Sequence, residues 1–146
     1  MKRLIIVLVV FSAHLTTLFS QRVISSPSVT RTEVLKTTDL GNQKLQAAIN
    51  DGDTIYALSL ATGHSVRVMV GLGNTDAALK LLQWLYDYEP KKGDIIDLEN
   101  DTHNVAKWHG ASGYLIYSEG KMFNGHLRKP NIKGFIQTIK EYAHRQ

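Results

Sequence analysis

Two stretches of the chain repeat one apolar pattern, and that pattern restricts the folds open to it. Ala78, Leu81, Leu82, Leu85 and Tyr88 recur at three- and four-residue spacing. At an offset of 54 residues, Ile132, Phe135, Ile136, Ile139 and Tyr142 fall on the same template. Side chains so spaced share one face of an α-helix, so each stretch predicts a helix with a single buried stripe. Asn74 or Thr75 can cap the first, with Asp76 at its positive end, and Pro90 and Gly93 end it. Pro130 suits the first turn of the second. The offset also sets Gln83 on Gln137 and Gly71 on Gly125, and a hairpin-like pattern precedes each helix. Two hairpin-helix units, a duplicated module, are one reading; the other is that amphipathic helices share a period without common descent.

Outside the helical stretches the periodicity drops to two. Tyr56, Leu58 and Leu60 alternate within 54–60, and Val66, Val68, Val70 and Leu72 within 66–72. Residues 32–38, 94–99, 105–109, 114–118 and 121–127 read as further strands, whereas 44–49 could be strand or helical turn. Asn50-Asp51-Gly52-Asp53 is a hairpin signal, because Asp-Gly tolerates positive φ. The connections are too short for parallel crossovers, so the strands must pair antiparallel. The expectation is an α+β fold: an antiparallel sheet of about six to seven strands with two helices packed on one face.

Composition allows one core. Of 146 residues, 43% are hydrophobic and 21% charged, and there is no cysteine, which excludes disulfides and thiolate metal sites. Lys2 and Arg3 precede an unbroken apolar run, 4–11, which polar residues then dilute toward Ser20. That layout predicts a signal peptide over 1–20, too short in its apolar run to span a bilayer. A Ser-rich lead-in, 21–31, and a single α+β domain, 32–146, follow. Loss of Lys2 and Arg3 lowers the formal charge from +4 to +2. The expected location is secreted or periplasmic, the absence of cysteine favouring a bacterial envelope.

Motifs that would carry chemistry fail in detail. Gly71-Leu72-Gly73 precedes a helix, but a dinucleotide fingerprint needs glycine where Asp76 stands. Gly110-Ala111-Ser112-Gly113-Tyr114 lacks the last glycine of a nucleophile elbow and leads into a strand. Asp97, Glu99 and Asp101 alternate like calcium ligands, yet Thr102 and Trp108 occupy the positions of the required glycine and glutamate. His64, His103, His109, His126 and His144 form no close pair, so no metal or cofactor is expected. Asn100-Asp101-Thr102 is a formal glycosylation sequon. The chain is basic from Lys121 onward and acidic over 87–101, but a charge of +2 and export argue against nucleic acid.

What remains is aromatic. Alternation sets Ala106 and Trp108 on one face and Lys107 and His109 on the other. Trp108, His109, Tyr117 and His126 are the candidate binding residues, as an aromatic-polar patch opposite the helices. The leading expectation is an exported, non-catalytic binding or interaction domain with a protein or small-ligand partner in the envelope. One alternative is a small envelope hydrolase using His109 with Asp97 or Asp101. Another is an inhibitor or immunity-type protein docking its acidic 87–101 stretch on a basic target.

Overall fold

A computed structural model describes residues 31–111 and 113–146. The expected signal segment, most of the lead-in and Ser112 lie outside the described residues. In the first half, strands β1 (Arg31–Thr38), β2 (Gln43–Asn50), β3 (Asp53–Ala61) and β4 (Arg67–Gly73) form a meander, followed by helix α1 (Thr75–Asp87). The second half repeats the plan with β5 (Ile95–Asp97), β6 (Val105–Trp108), β7 (Gly113–Tyr117) and β8 (Asn124–Arg128), followed by helix α2 (Lys129–Ala143). The fold is therefore α+β, but with eight strands in two antiparallel sheets, ordered β1-β2-β3-β4 and β5-β6-β7-β8. The ambiguous stretch at 44–49 is strand β2. It pairs with β3 through the Asp51-Gly52 turn, both of whose residues adopt positive φ.

Local chemistry explains the elements. The side chain of Asn74 accepts a hydrogen bond from Ala77 N at 3.0 Å and so starts α1. Pro130 lies in the first turn of α2, where its missing N–H costs nothing. Alternation sends Leu45, Ala47, Tyr56, Leu58, Leu60, Val68, Val70 and Leu72 inward from the first sheet. Ala106, Tyr114, Ile116 and Leu127 do the same from the second. They meet Ala78, Leu82 and Leu85 of α1 and Ile132, Phe135, Ile136 and Ile139 of α2 in one continuous core. The helices pack on each other, α1 reaching β3 and β4 and α2 reaching β1, β7 and β8. Val66 falls just before β4, so it escapes the buried row and is exposed.

The second sheet meets the first closely at Gly125, and the loop from β5 to β6 meets it at Gly71. A Cβ added to Gly125 of β8 would be driven into Leu60 of β3. A Cβ added to Gly71 of β4 would meet the Thr102 side chain at 3.4 Å, ordinary contact. Further ties cross between the halves. Arg128 pairs with Asp39 at 2.9 Å, and Asn131 Nδ2 donates to Gln43 Oε1 at 3.0 Å. Tyr142 OH donates to Glu33 Oε2 at 3.1 Å. Among the described residues no helix is long and apolar enough to cross a membrane.

Candidate functional site

The register of the second sheet separates the aromatic residues singled out in the sequence. Trp108 pairs across β7 with Tyr114, whose own neighbour on β8 is the buried Leu127, so Trp108 faces the helices. Its half-buried ring meets Tyr114 edge-on at 5.0 Å, with Lys129 Nζ 5.8 Å from its centre. Tyr117 and His126 belong to the opposite face, where Tyr117 lines a shallow depression of about 180 Å³ with Ile95, Val105 and Lys107. His109 lies just beyond β6, exposed, its backbone N–H donating to Gly113 O at 3.0 Å. Tyr117, His126 and His109 thus share a side of the sheet that Trp108 does not. Asp97 pairs with Val105 at the start of β6, four residues from His109, a strand length of about 13 Å. Its Oδ1 accepts from Glu99 N at 2.9 Å.

His126 carries the most perturbed imidazole. Its Nε2 is buried without a hydrogen-bond partner among the described residues. Desolvation lowers its pKa; Arg128 and His109 push the same way, and Asp39 opposes them. Tyr114 is fully buried, and its hydroxyl donates to Leu85 O at 2.8 Å. Burial first, and Tyr88 second, push its pKa up to about 12, so it stays a neutral donor.

A further concavity lies elsewhere, between α1, the end of β4 and the loop from β5 to β6. It encloses about 440 Å³. Helix α1 contributes Ala77, Lys80, Leu81 and Trp84; β4 contributes Gly71, Leu72 and Gly73; the loop contributes Leu98, Glu99, Asn100 and Asp101. Trp84 is 43% exposed although it sits on a rigid helix, and its ring stacks on Tyr88 at 4.9 Å. Tyr88 is fixed in turn by Asp94, whose carboxylate accepts from the Tyr88 hydroxyl at 3.2 Å and from Lys91 N at 2.8 Å.

The loop wall is built as tightly as the helix wall. Asn104 is 1% exposed; its Oδ1 accepts from Asn100 Nδ2 at 3.0 Å and from Thr102 Oγ1, and its Nδ2 donates to Tyr117 O at 3.1 Å. Gly71, at the free edge of β4, donates its N–H to Thr102 Oγ1 at 2.8 Å and accepts from Asn100 Nδ2 at 2.9 Å. Two side chains therefore take the place of a fifth strand on the first sheet and cover an edge otherwise open to pairing. Glu99 and His103 hold positive φ of 48° and 47° within this loop, strain that the surrounding hydrogen bonds sustain. The sequon is part of the same network, its Asn100 nitrogen committed to two carbonyl oxygens.

Sequence reasoning passed over Trp84 and the polar network. The signal for Trp84 was a large aromatic lying off the apolar stripe, on the side of the helix that should be polar. The network has no periodic signature, because it depends on which strand edge the loop reaches. Among the described residues no three histidine, aspartate or glutamate side chains cluster as metal ligands. No family model, curated protein or solved structure matches the chain.

Proposed function

We propose that the protein is an exported, non-catalytic binding domain and that the groove beside Trp84 is its ligand-contact surface. The observation that carries this reading is the half-exposed Trp84, held on a helix and backed by Tyr88, over an apolar floor of Leu81 and Leu98. A soluble domain loses free energy by leaving so large an aromatic surface in water, and such surfaces are enriched where partners bind. Both walls are preorganised, so a ligand would meet little ordering cost on the protein side. Export rests on the charged and apolar layout of residues 1–20.

The test is a titration of the isotope-labelled full chain with indole, a neutral aromatic probe. Saturable amide shifts confined to 71–73, 77–84 and 98–101, lost in Trp84→Ala, are expected. Shifts elsewhere, or none, overturn the placement. N-terminal sequencing of the protein from an envelope fraction tests the export step, with Gln21 expected as the first residue.

A second contact surface has one observation in its favour. Ile95 is 66% exposed beside Val105, Lys107 and Tyr117 on the outer face of the second sheet. Indole shifts centred on 105–107 and 115–117 would move the assignment there.

A further inference from the structure

The groove does not end at Gly73. A second depression, of about 570 Å³, shares Gly73 and Asp101 with the first and continues past the start of α1. Its character is different. Where the first depression is floored by leucines and overlooked by Trp84, the second is walled by Asp53, Asp76 and Asp101, beside Thr54 and Asn74. No lysine or arginine is among the described residues that line it. Glu99 adds a further carboxylate at the rim of the first depression, where Lys80 is the single cation among the described lining residues. The two depressions form an elongated site of two chemistries, apolar at one end and anionic at the other, meeting at Asp101.

Charge and shape together select an occupant. A small apolar molecule would fill the first depression and leave the second empty. A lone cation would gain nothing from Trp84 at the far end. A chain segment carrying an aromatic or aliphatic side chain, followed closely by lysine or arginine, matches both. We propose that the site takes an extended basic-apolar peptide segment of a protein partner, its apolar side chain beside Trp84, Leu81 and Leu98 and its cation among Asp53, Asp76 and Asp101. The inference rests on the groove being the contact surface, and adds the class of ligand. Opposite charge at a solvated rim raises the encounter rate and fixes orientation, while the desolvated aromatic contact supplies most of the affinity. Binding should therefore weaken with salt, as screening shortens the reach of exposed carboxylates.

The experiment uses the full chain and three capped peptides: acetyl-Phe-Gly-Arg-Arg-amide, its Phe-Gly-Glu-Glu counterpart, and Gly-Gly-Arg-Arg. Amide shifts give the affinities. The Phe-Arg peptide should bind at least tenfold more tightly than either other peptide at low salt. The double variant Asp53→Asn/Asp76→Asn should reduce that preference about tenfold while leaving indole binding unchanged. Because both side chains are exposed, the variant should keep the amide spectrum of the parent. Equal binding of the Glu peptide, or an unchanged preference in the double variant, overturns the ligand class and leaves the groove reading standing if indole still binds. Absence of any shift in the groove with indole and peptides alike removes both.

Discussion

The two halves follow one plan with unequal means. In the first, strands of seven to nine residues build a broad meander closed by tight turns. In the second, strands of three to five residues build a much smaller one, although its helix, at 15 residues, is longer than the 13 of α1. Strands this short lie at the low end of the usual range, so the sheet has little face of its own to bury. It is stabilised by leaning on the first: Gly125 against Leu60, the 99–104 loop against the edge of β4, Arg128 against Asp39. The unequal halves also place the candidate site. Residues that the second half does not spend on strands form the loop that walls the groove.

Crowding the contact of Gly125 with Leu60 between the halves should have the largest effect. Gly125→Ala puts a methyl group into Leu60, with backbone of β3 immediately behind it, and neither strand can yield without disturbing its sheet. Overpacking of this kind costs about 1–3 kcal/mol, and this site belongs at the upper end. Gly71→Ala, at the corresponding position of the first half, meets only ordinary contact and should cost under about 1 kcal/mol. Chemical denaturation of the two variants compares them directly. Equal losses would mean that the halves interlock symmetrically, and would remove the idea that the small sheet depends on the large one.

The next effect comes from the polar seam. Asn104→Ala removes a buried amide that joins Asn100, Thr102 and the Tyr117 carbonyl, and leaves Asn100 Nδ2 and Thr102 Oγ1 only their bonds to Gly71. Orphaned buried polar groups cost about 1–3 kcal/mol, so a loss near 2 kcal/mol is expected. Hydrogen exchange adds the sharper readout. The Gly71 amide, held by Thr102, should exchange faster in the variant, and β6 and β7 should lose protection before β2 and β3 do. Uniform loss across both sheets would make the molecule one cooperative unit rather than a large half supporting a small one.

These contrasts also explain what could be read from the sequence. The helices were legible because their stripes are periodic: Ala78, Leu82 and Leu85, and Ile132, Phe135, Ile136 and Ile139, are all buried as the spacing requires. Leu81 and Tyr88, at the margin of the first stripe, are only partly buried, and they border Trp84. Alternation placed Leu58, Leu60, Val68 and Val70 inward, and also Ile96 and Leu98. It gave no means to count sheets, since pairing between β4 and β5 was neither required nor forbidden by the pattern; the side chains of Asn100 and Thr102 decide it. The binding residues fared unevenly for a similar reason. Alternation correctly opposed Trp108 to Lys107, but it does not say which face the helices cover, because that is set by tertiary packing.

The smallest effect bears on the seam at its other end. His126 lies on the outer face of the small sheet, yet its Nε2 is buried, with Asp39 from the large half and Arg128 and His109 from its own half acting on its charge. Burial lowers its proton affinity in the folded state, with Arg128 and His109 adding to it and Asp39 opposing. As pH falls below about 6.5, the ordinary histidine value, the unfolded chain takes up this proton before the folded one does. The contribution to stability is therefore complete above that value and declines as pH drops toward the lowered folded value; below that, it changes no further. A His126→Gln variant should flatten the stability-pH curve across this window relative to the parent. Because the side chain is only partly buried, the difference should be the least of the three. A parallel pair of curves would mean that the imidazole is solvated in solution, and that the Asp39–Arg128 pair holds the halves together there without burying its neighbour.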